Sequence, residues 1–441
     1  MIEKYLVKKI TEPVDWKVTV PGSKSMTNRA LLLAALSAGT VRVEGVLFSD
    51  DSRHFLACLV ALGFTVEIEE EKKCVTVTGC GGRIPRGEAV IDVGSAGTAA
   101  RFLAAMLGFS DGCYEIRCSA QMKRRPMAEL FDLLSGAGAK ITFLEEEGHL
   151  PVRITGCRYA RADKTAGETP RELSLDITKS TQFLSALLLI APMVPEGMKI
   201  HITSEKTDGS YIRITRKMMQ EFGVSVAFDG RDYEVPCRSS YRKETYTVEP
   251  DMSAACYFYA AAAVTGGRAL VRHVHMDNTQ GDLRFLEVLE HMGCTADDTP
   301  EGVLVTGPAD GALRGITVNM NDFSDQALTL AAIAPFADAP VRIEGIGHIR
   351  GQECDRIHAI QTNLTALGIR CEEEETAATI YPGSPHGGSV ETYDDHRVAM
   401  AFSLVGLRTD GIVIENPACC CKTFEDYFTV LSELTGKTAE D

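Results

Sequence analysis

Cations and small polar residues recur where apolar runs begin. TVPGSKSMTNRALLLAALSAG sets Lys24, Ser25 and Arg29 at the head of an apolar segment, and GSAGTAARFL sets Ser95, Gly97, Thr98 and Arg101 at another. KSTQFLSALLL carries Ser180, Thr181 and Gln182, PDMSAACY carries Asp251 and Ser253, SDQALTLA carries Asp325, and DDHRVAMAF carries Asp395, His396 and Arg397. A Ser, Thr or Asp at a helix start caps backbone N–H groups and needs no further explanation. A cation there opposes the helix dipole unless an anion lies between them. Lys24, Arg29, Arg101 and Arg397 therefore predict bound phosphate or carboxylate groups. The links add Lys123, Arg124 and Arg125 in QMKRRPM, Arg350, Glu353, Asp355 and Arg356 in IRGQECDRI, and Lys422 in CCCKTF. Singly, each such run reads as a solvated face. Their return at matching places of a repeating pattern points to a site. PGSKSMTNR is not a Walker-type loop, and no GxGxxG follows a strand, so neither nucleotide motif is present.

The elements that must position these residues repeat six times. Each copy reads as an apolar helix ending in Gly or a short turn, an alternating strand, a polar link, an amphipathic helix ending in Gly, and a second strand. The apolar helices begin near residues 28, 98, 181, 252, 325 and 395. They are apolar nearly all round and must be buried, whereas each second helix keeps a polar outer face. Two groups of three copies give an α/β protein of two pseudo-symmetric inside-out barrels with helices packed inside sheets. If that symmetry brings the helix starts together, they form an anion-binding cleft.

The chain has 441 residues, too many for one ordinary core and enough for two of about 200 residues each. Lys and Arg number 45 against 61 Asp and Glu, a formal charge of −16, which disfavours nucleic acid and anionic membrane surfaces as partners. MIEKYLVKKITEPVDW lacks the apolar run of a signal peptide, and no later segment has the length of a membrane span, so a cytoplasmic location is expected. The fourteen cysteines form no CxxC pair and read as reduced thiols rather than metal ligands; Cys419, Cys420 and Cys421 read as packing.

With PGSKSMTNRALLLAAL, GSAGTAARFL, KRRPM, STQFLSALLLIAP, SDQALTLA, IRGQECDRI, TYDDHRVAMAFSL and CKTFEDYF in order from residue 21 to 428, the chain resembles the 5-enolpyruvylshikimate-3-phosphate synthase family. The resemblance implies the enolpyruvyltransferase fold: two domains of three repeats, 21–248 and 1–20 with 249–441, joined by a two-strand hinge and closing on substrate. It implies transfer of the enolpyruvyl group of phosphoenolpyruvate to the 5-hydroxyl of shikimate 3-phosphate by addition–elimination, with release of phosphate and no metal or organic cofactor. A monomer is expected.

Residue by residue, the resemblance implies that Lys24 contacts both substrates and donates the proton that activates the enol. Ser25, Arg29, Ser180, Thr181, Gln182, Asp325, His348 and Gln352 would hold shikimate 3-phosphate. Gly97, Arg125, Gln182, Arg356, Arg397 and Lys422 would meet phosphoenolpyruvate, the guanidiniums of Arg356 and Arg397 clamping its carboxylate. Asp325 is similar to the family's base at the 5-hydroxyl, and Glu353 to its proton-transfer partner at the methylene carbon. Several positions depart from the family pattern: Gln352 for Lys, His348 for Asn, Asp208 for Ser, Ser95 for Asn and Phe102 for Pro. Two other readings compete. A UDP-N-acetylglucosamine enolpyruvyltransferase would use a loop cysteine, for which Cys118 is the candidate, but Ser25, Arg29 and the Ser180–Gln182 triplet suit a small phosphorylated ring. A non-catalytic phosphometabolite-binding protein would be expected to lose Asp325 or Glu353, and both are present.

Overall fold

In each of two units, short sheets wrap buried apolar helices. The structure, a computed structural model, describes residues 3–157, 170–309 and 312–436. The chain divides into two compact units, Gly22–Glu249 and Met1–Pro21 with Pro250–Asp441. Each is described by itself.

In the Gly22–Glu249 unit the apolar helices are Lys24–Leu36, Gly97–Gly108 and Gln182–Ile190. Eleven of the thirteen residues of Lys24–Leu36 are buried, as their apolar periodicity on every face requires. The three helices pack on one another. They are also tied by polar contacts, such as the Asn28 Nδ2 to Thr98 Oγ1 hydrogen bond of 2.6 Å. Three four-stranded sheets lie outside them. In the first, Thr40–Glu44 turns Val41 and Val43 inward and leaves Thr40 exposed, the period of two of a half-buried strand.

The second unit repeats the plan with helices Met252–Thr265, Ala327–Ile333 and His396–Arg408, again in mutual contact. Its first sheet is completed by Asp15–Val18, parallel to Arg268–Arg272, and its third by Lys4–Leu6, antiparallel to Ile412–Glu415. The start of the chain is thus built into the later unit.

Each repeat holds more strands than the sequence pattern predicts. The sheet of the second repeat runs Glu88–Asp92, Cys113–Arg117, Val152–Thr155, Lys140–Phe143: a parallel pair joined across the buried helix, then an antiparallel hairpin after the second helix. The unit is therefore β-α-β-α-β-β; among the described residues the sixth copy shows no hairpin, Lys4–Leu6 standing beside Ile412–Glu415 instead. The sequence pattern stops at the strand after each second helix: Thr65–Glu69 is that strand in the first repeat, and the unread partner Cys74–Thr78 follows a turn that closes at Lys73 with φ of 50°. Among the described residues no helix is long and apolar enough to cross a membrane.

Candidate functional site

Two clusters of the residues singled out by sequence exist, one in each unit. In the Gly22–Glu249 unit Lys24 opens its helix, and its Nζ lies 3.3 Å from Oδ2 of Asp51. Asp51 is buried at the start of the neighbouring helix Asp50–Ala61. The anion that sequence reasoning required for this cation is thus supplied within the protein. Ser25 Oγ lies 3.2 Å from Ser23 Oγ.

Arg29 is 1% exposed and faces only uncharged partners in its hydrogen bonds. Nε donates to Thr215 Oγ1 at 2.8 Å, Nη1 to the Ser25 carbonyl at 2.9 Å, and Nη2 to Ser185 Oγ and the Tyr211 carbonyl. The rings of Phe102 and Tyr211 lie 5.2 and 5.8 Å from its guanidinium carbon. Phe102, a departure from the family pattern, thus has a place: it covers this cation. Burial lowers the Arg29 pKa to about 10, so the guanidinium is charged at neutral pH without a carboxylate in its hydrogen bonds.

Gly97, Arg101, Arg125 and Gln182 gather at the starts of the second and third buried helices. Arg101 Nη1 donates to Gln182 Oε1 at 2.6 Å, and a β-carbon added to Gly97 would lie 2.5 Å from Arg125 Nη1. Of the KRR run, Arg125 is the member brought here; Lys123 pairs with exposed Glu145. Ser180 Oγ accepts the Gln182 backbone N–H at 3.3 Å, placing Ser180 and Thr181 at the head of Gln182–Ile190. Asp208 is engaged by Arg213 Nη1 at 2.9 Å and by the Tyr233 hydroxyl at 3.2 Å.

In the other unit one guanidinium organises the cluster. Arg356, 1% exposed, opens helix Arg356–Ala366. Its Nη1 donates to Asp325 Oδ1 at 3.0 Å, its Nη2 to Glu353 Oε2 at 2.9 Å, and its Nε to Asp395 Oδ2 at 2.8 Å. Gln352 Oε1 also accepts from Nη1. Burial works against the Arg356 charge, but Asp395, Glu353 and Asp325 outweigh it and raise its pKa. Arg397 Nη2 donates to Asp325 Oδ2 at 2.8 Å, and Lys422 Nζ lies 3.5 Å from Glu353 Oε1. His348 Nε2 lies 2.8 Å from Ser324 Oγ, beside Asp325 in sequence. The cysteine run positions Lys422: it forms the short helix Pro417–Lys422 against His396–Arg408, with buried Cys420 Sγ donating to the His396 carbonyl at 3.8 Å.

Asp325 and Glu353 therefore sit on the two ends of one guanidinium. Asp51 escaped sequence reasoning altogether, and Asp395 was read only as a cap, a role it also fills by accepting the Arg397 backbone N–H at 2.9 Å. The signal for both was an acidic residue in the first turn of a helix, which ordinary capping explains equally well. Among the described residues no group of three or more His, Cys, Asp or Glu is gathered as a metal site; the carboxylates of this cluster are turned toward cations.

Five repeats of β-α-β-α-β-β plan and a sixth without the hairpin, with buried cations at the starts of inner helices, give the fold of the enolpyruvyltransferase class. The fold of the enolpyruvyl transferase NikO from Streptomyces tendae matches with a TM-score of 0.72 at 17% identity, over 98% of this chain and 97% of that one. EPSP synthase from Acinetobacter baumannii matches with a TM-score of 0.79 at 25% identity, over 99% and 98%. The sequence profile of EPSP synthase (3-phosphoshikimate 1-carboxyvinyltransferase) matches residues 8–431, and the chain belongs to that family. It is 42% identical over 429 residues to the 3-phosphoshikimate 1-carboxyvinyltransferase of Trichormus variabilis, covering 97% of this chain and 98% of that protein. The protein of the same name from Nostoc punctiforme is 42% identical over 421 residues, 95% and 96% of the two chains.

Proposed function

We propose that this chain is the transferase its family membership indicates, moving the carboxyvinyl group of phosphoenolpyruvate to the 5-hydroxyl of shikimate 3-phosphate and releasing phosphate, with the two clusters as its working residues. The observation that carries the residue assignment is the meeting of Asp325 and Glu353 on Arg356, with Arg397 and Lys422 alongside. Adding an alcohol across an enol ether puts a proton on carbon and takes one from oxygen; eliminating phosphate then removes a proton from that carbon. An acid and a base held in fixed geometry serve both halves. Asp325 takes the hydroxyl proton, Lys24 donates the proton that activates the enol, and Glu353 exchanges the proton at the methylene carbon.

The cations bind the two polyanionic substrates. Arg356 and Arg397 exchange protein carboxylates for that of phosphoenolpyruvate, while Arg125, Gln182 and Lys422 hold its phosphate and Gly97 gives it room. Ser25, Arg29, Ser180, Thr181 and Gln182 receive shikimate 3-phosphate, with Asp325, His348 and Gln352 at its ring. We also read the chain as a cytoplasmic monomer; its charge of −16 keeps like molecules apart, and light scattering of the purified protein checks the mass.

Phosphate release on mixing the protein with both substrates tests the reading. Release is expected with the pair and not with either alone, and Lys24→Ala should lower kcat at least about a hundredfold, the size of a general-acid contribution. No release from folded protein would overturn it, and UDP-N-acetylglucosamine would be the next acceptor to try.

A further inference from the structure

Beside the Arg356 cluster lies a buried carboxyl that the reaction as described does not use. Asp282 sits in the short turn Gly281–Arg284 ahead of helix Phe285–His291 and is 6% exposed. The Ser253 hydroxyl, in the first turn of Met252–Thr265, donates to Asp282 Oδ2. Ser253 Oγ in turn accepts from Arg397 Nη2 at 3.4 Å, and that same nitrogen donates to Asp325 Oδ2 at 2.8 Å. Each donor in this chain meets an acceptor. It runs from guanidinium to hydroxyl to carboxylate, and every member is at least nine-tenths buried except Asp325.

We propose that Asp282 is a positioning residue for the reaction, fixing through the Ser253 hydroxyl the Arg397 guanidinium that also holds Asp325. The proposal rests on the function proposed above. When the carboxylate of phosphoenolpyruvate takes Arg397, Asp325 must release that cation to reach the 5-hydroxyl. Ser253 and Asp282 do not take part in this exchange, so they keep Arg397 in place while its other partner changes. An ionised Asp282 suits the task. It accepts from Ser253 and leaves the serine lone pairs to Arg397, whereas a protonated carboxyl would donate to Ser253 and compete with the guanidinium for that oxygen.

The surroundings place this change of state near neutrality. Asp325 faces Asp282 from the turn before Ala327–Ile333, Arg397 from His396–Arg408, and Asp251 and Cys256 from Met252–Thr265, with Cys256 Sγ donating to the Asp282 carbonyl at 3.7 Å. Burial, then the charge of Asp325, push its pKa from the ordinary 3.8 to about 7, against the pull of Arg397 and Ser253. The folded-state value lies above the unfolded one. Stability from the protonated form is therefore full below pH 4 and is lost as pH rises through 7.

The test compares wild type, Asp282→Asn and Ser253→Ala in phosphate release from both substrates between pH 5.5 and 8.5. Wild-type turnover itself tests the function on which the proposal rests. Both variants are expected to lower kcat/KM for phosphoenolpyruvate about fivefold at pH 8.5, the size of one hydrogen bond, and to approach wild type at pH 5.5. Ionisation of substrate phosphate is common to all three proteins and cancels in the ratio. Melting temperature in the same buffers reports the carboxyl directly: Asp282→Asn should gain on wild type as pH rises. An active wild type with variant-to-wild-type ratios that do not change with pH, or variants that melt lower yet keep kcat/KM, would reduce Asp282 to a structural group and overturn the proposal.

Discussion

A β-carbon at Gly97 would fall 2.5 Å from Arg125 Nη1 and 2.9 Å from Arg101 Nη1. The atoms it meets are the ends of long side chains, so Gly97→Ala should move guanidiniums rather than backbone. The expected result is a KM for phosphoenolpyruvate raised about tenfold, within the 1–3 kcal/mol that overpacking costs, with a melting temperature near that of wild type. Steady-state kinetics with calorimetry checks both; an unchanged KM would remove Gly97 and Arg125 from the phosphoenolpyruvate side. At this scale the sequence was half legible. The cations could be found because a Lys or Arg at a helix start needs an anion. Their partners could not: Asp51 and Asp395 look like any acidic residue of a first turn, and only the fold brings Asp51 to Lys24 or Asp395 to Arg356.

The inner helices show what packing adds to pattern. HRVAMAFSLVGLR reads as a buried helix, and its glycine as a loss of about 1 kcal/mol against alanine. In the structure a β-carbon at Gly406 would lie 2.4 Å from Val7 Cβ, a stiff branched side chain beyond strand Lys4–Leu6. Gly406→Ala should therefore destabilise the protein by about 1–3 kcal/mol despite alanine's better helix propensity. Urea denaturation measures it, and a stabilised variant would show that the strand gives way freely. The helix itself was legible from its period. The contact was not, because its two partners stand at opposite ends of the chain. The hairpins were half read: Thr65–Glu69 was legible as the strand after the second helix, but its partner Cys74–Thr78, beyond a turn of charged residues, was not.

At the scale of the molecule the two units differ in how their chain is supplied. Every strand of the three sheets in Gly22–Glu249 comes from that segment, including Thr245–Thr247 at its end, and its core runs from Met26 to Val248. The other core draws Tyr5, Val7, Val14, Trp16, Val18 and Val20 from the far end of the sequence. A fragment 22–249 is thus expected to fold alone, with cooperative unfolding by circular dichroism. A fragment 250–441 should not, until a peptide of residues 1–21 restores two strands and those apolar side chains. Cooperative unfolding of 250–441 without the peptide would show that the strands are dispensable. Six copies of a helix–strand pattern were legible in the sequence because the repeat is close to 70 residues; the family resemblance set residues 1–20 with 249–441, but which sheets those strands join needed the coordinates.

That arrangement also sets an order of events in the cell. Lys4–Leu6 and Asp15–Val18 leave the ribosome well before their partners Ile412–Glu415 and Arg268–Arg272. At roughly 5–20 residues per second, the first of these strands waits on the order of 20–80 s for its neighbour to be made. Throughout that interval Tyr5 and Val7 lack the late-made neighbours Phe428 and Gly406 that they pack on, while the segment behind them can already collapse. Until then these strands are open to chaperones and to mispairing, and their demand for chaperones should rise whenever translation slows.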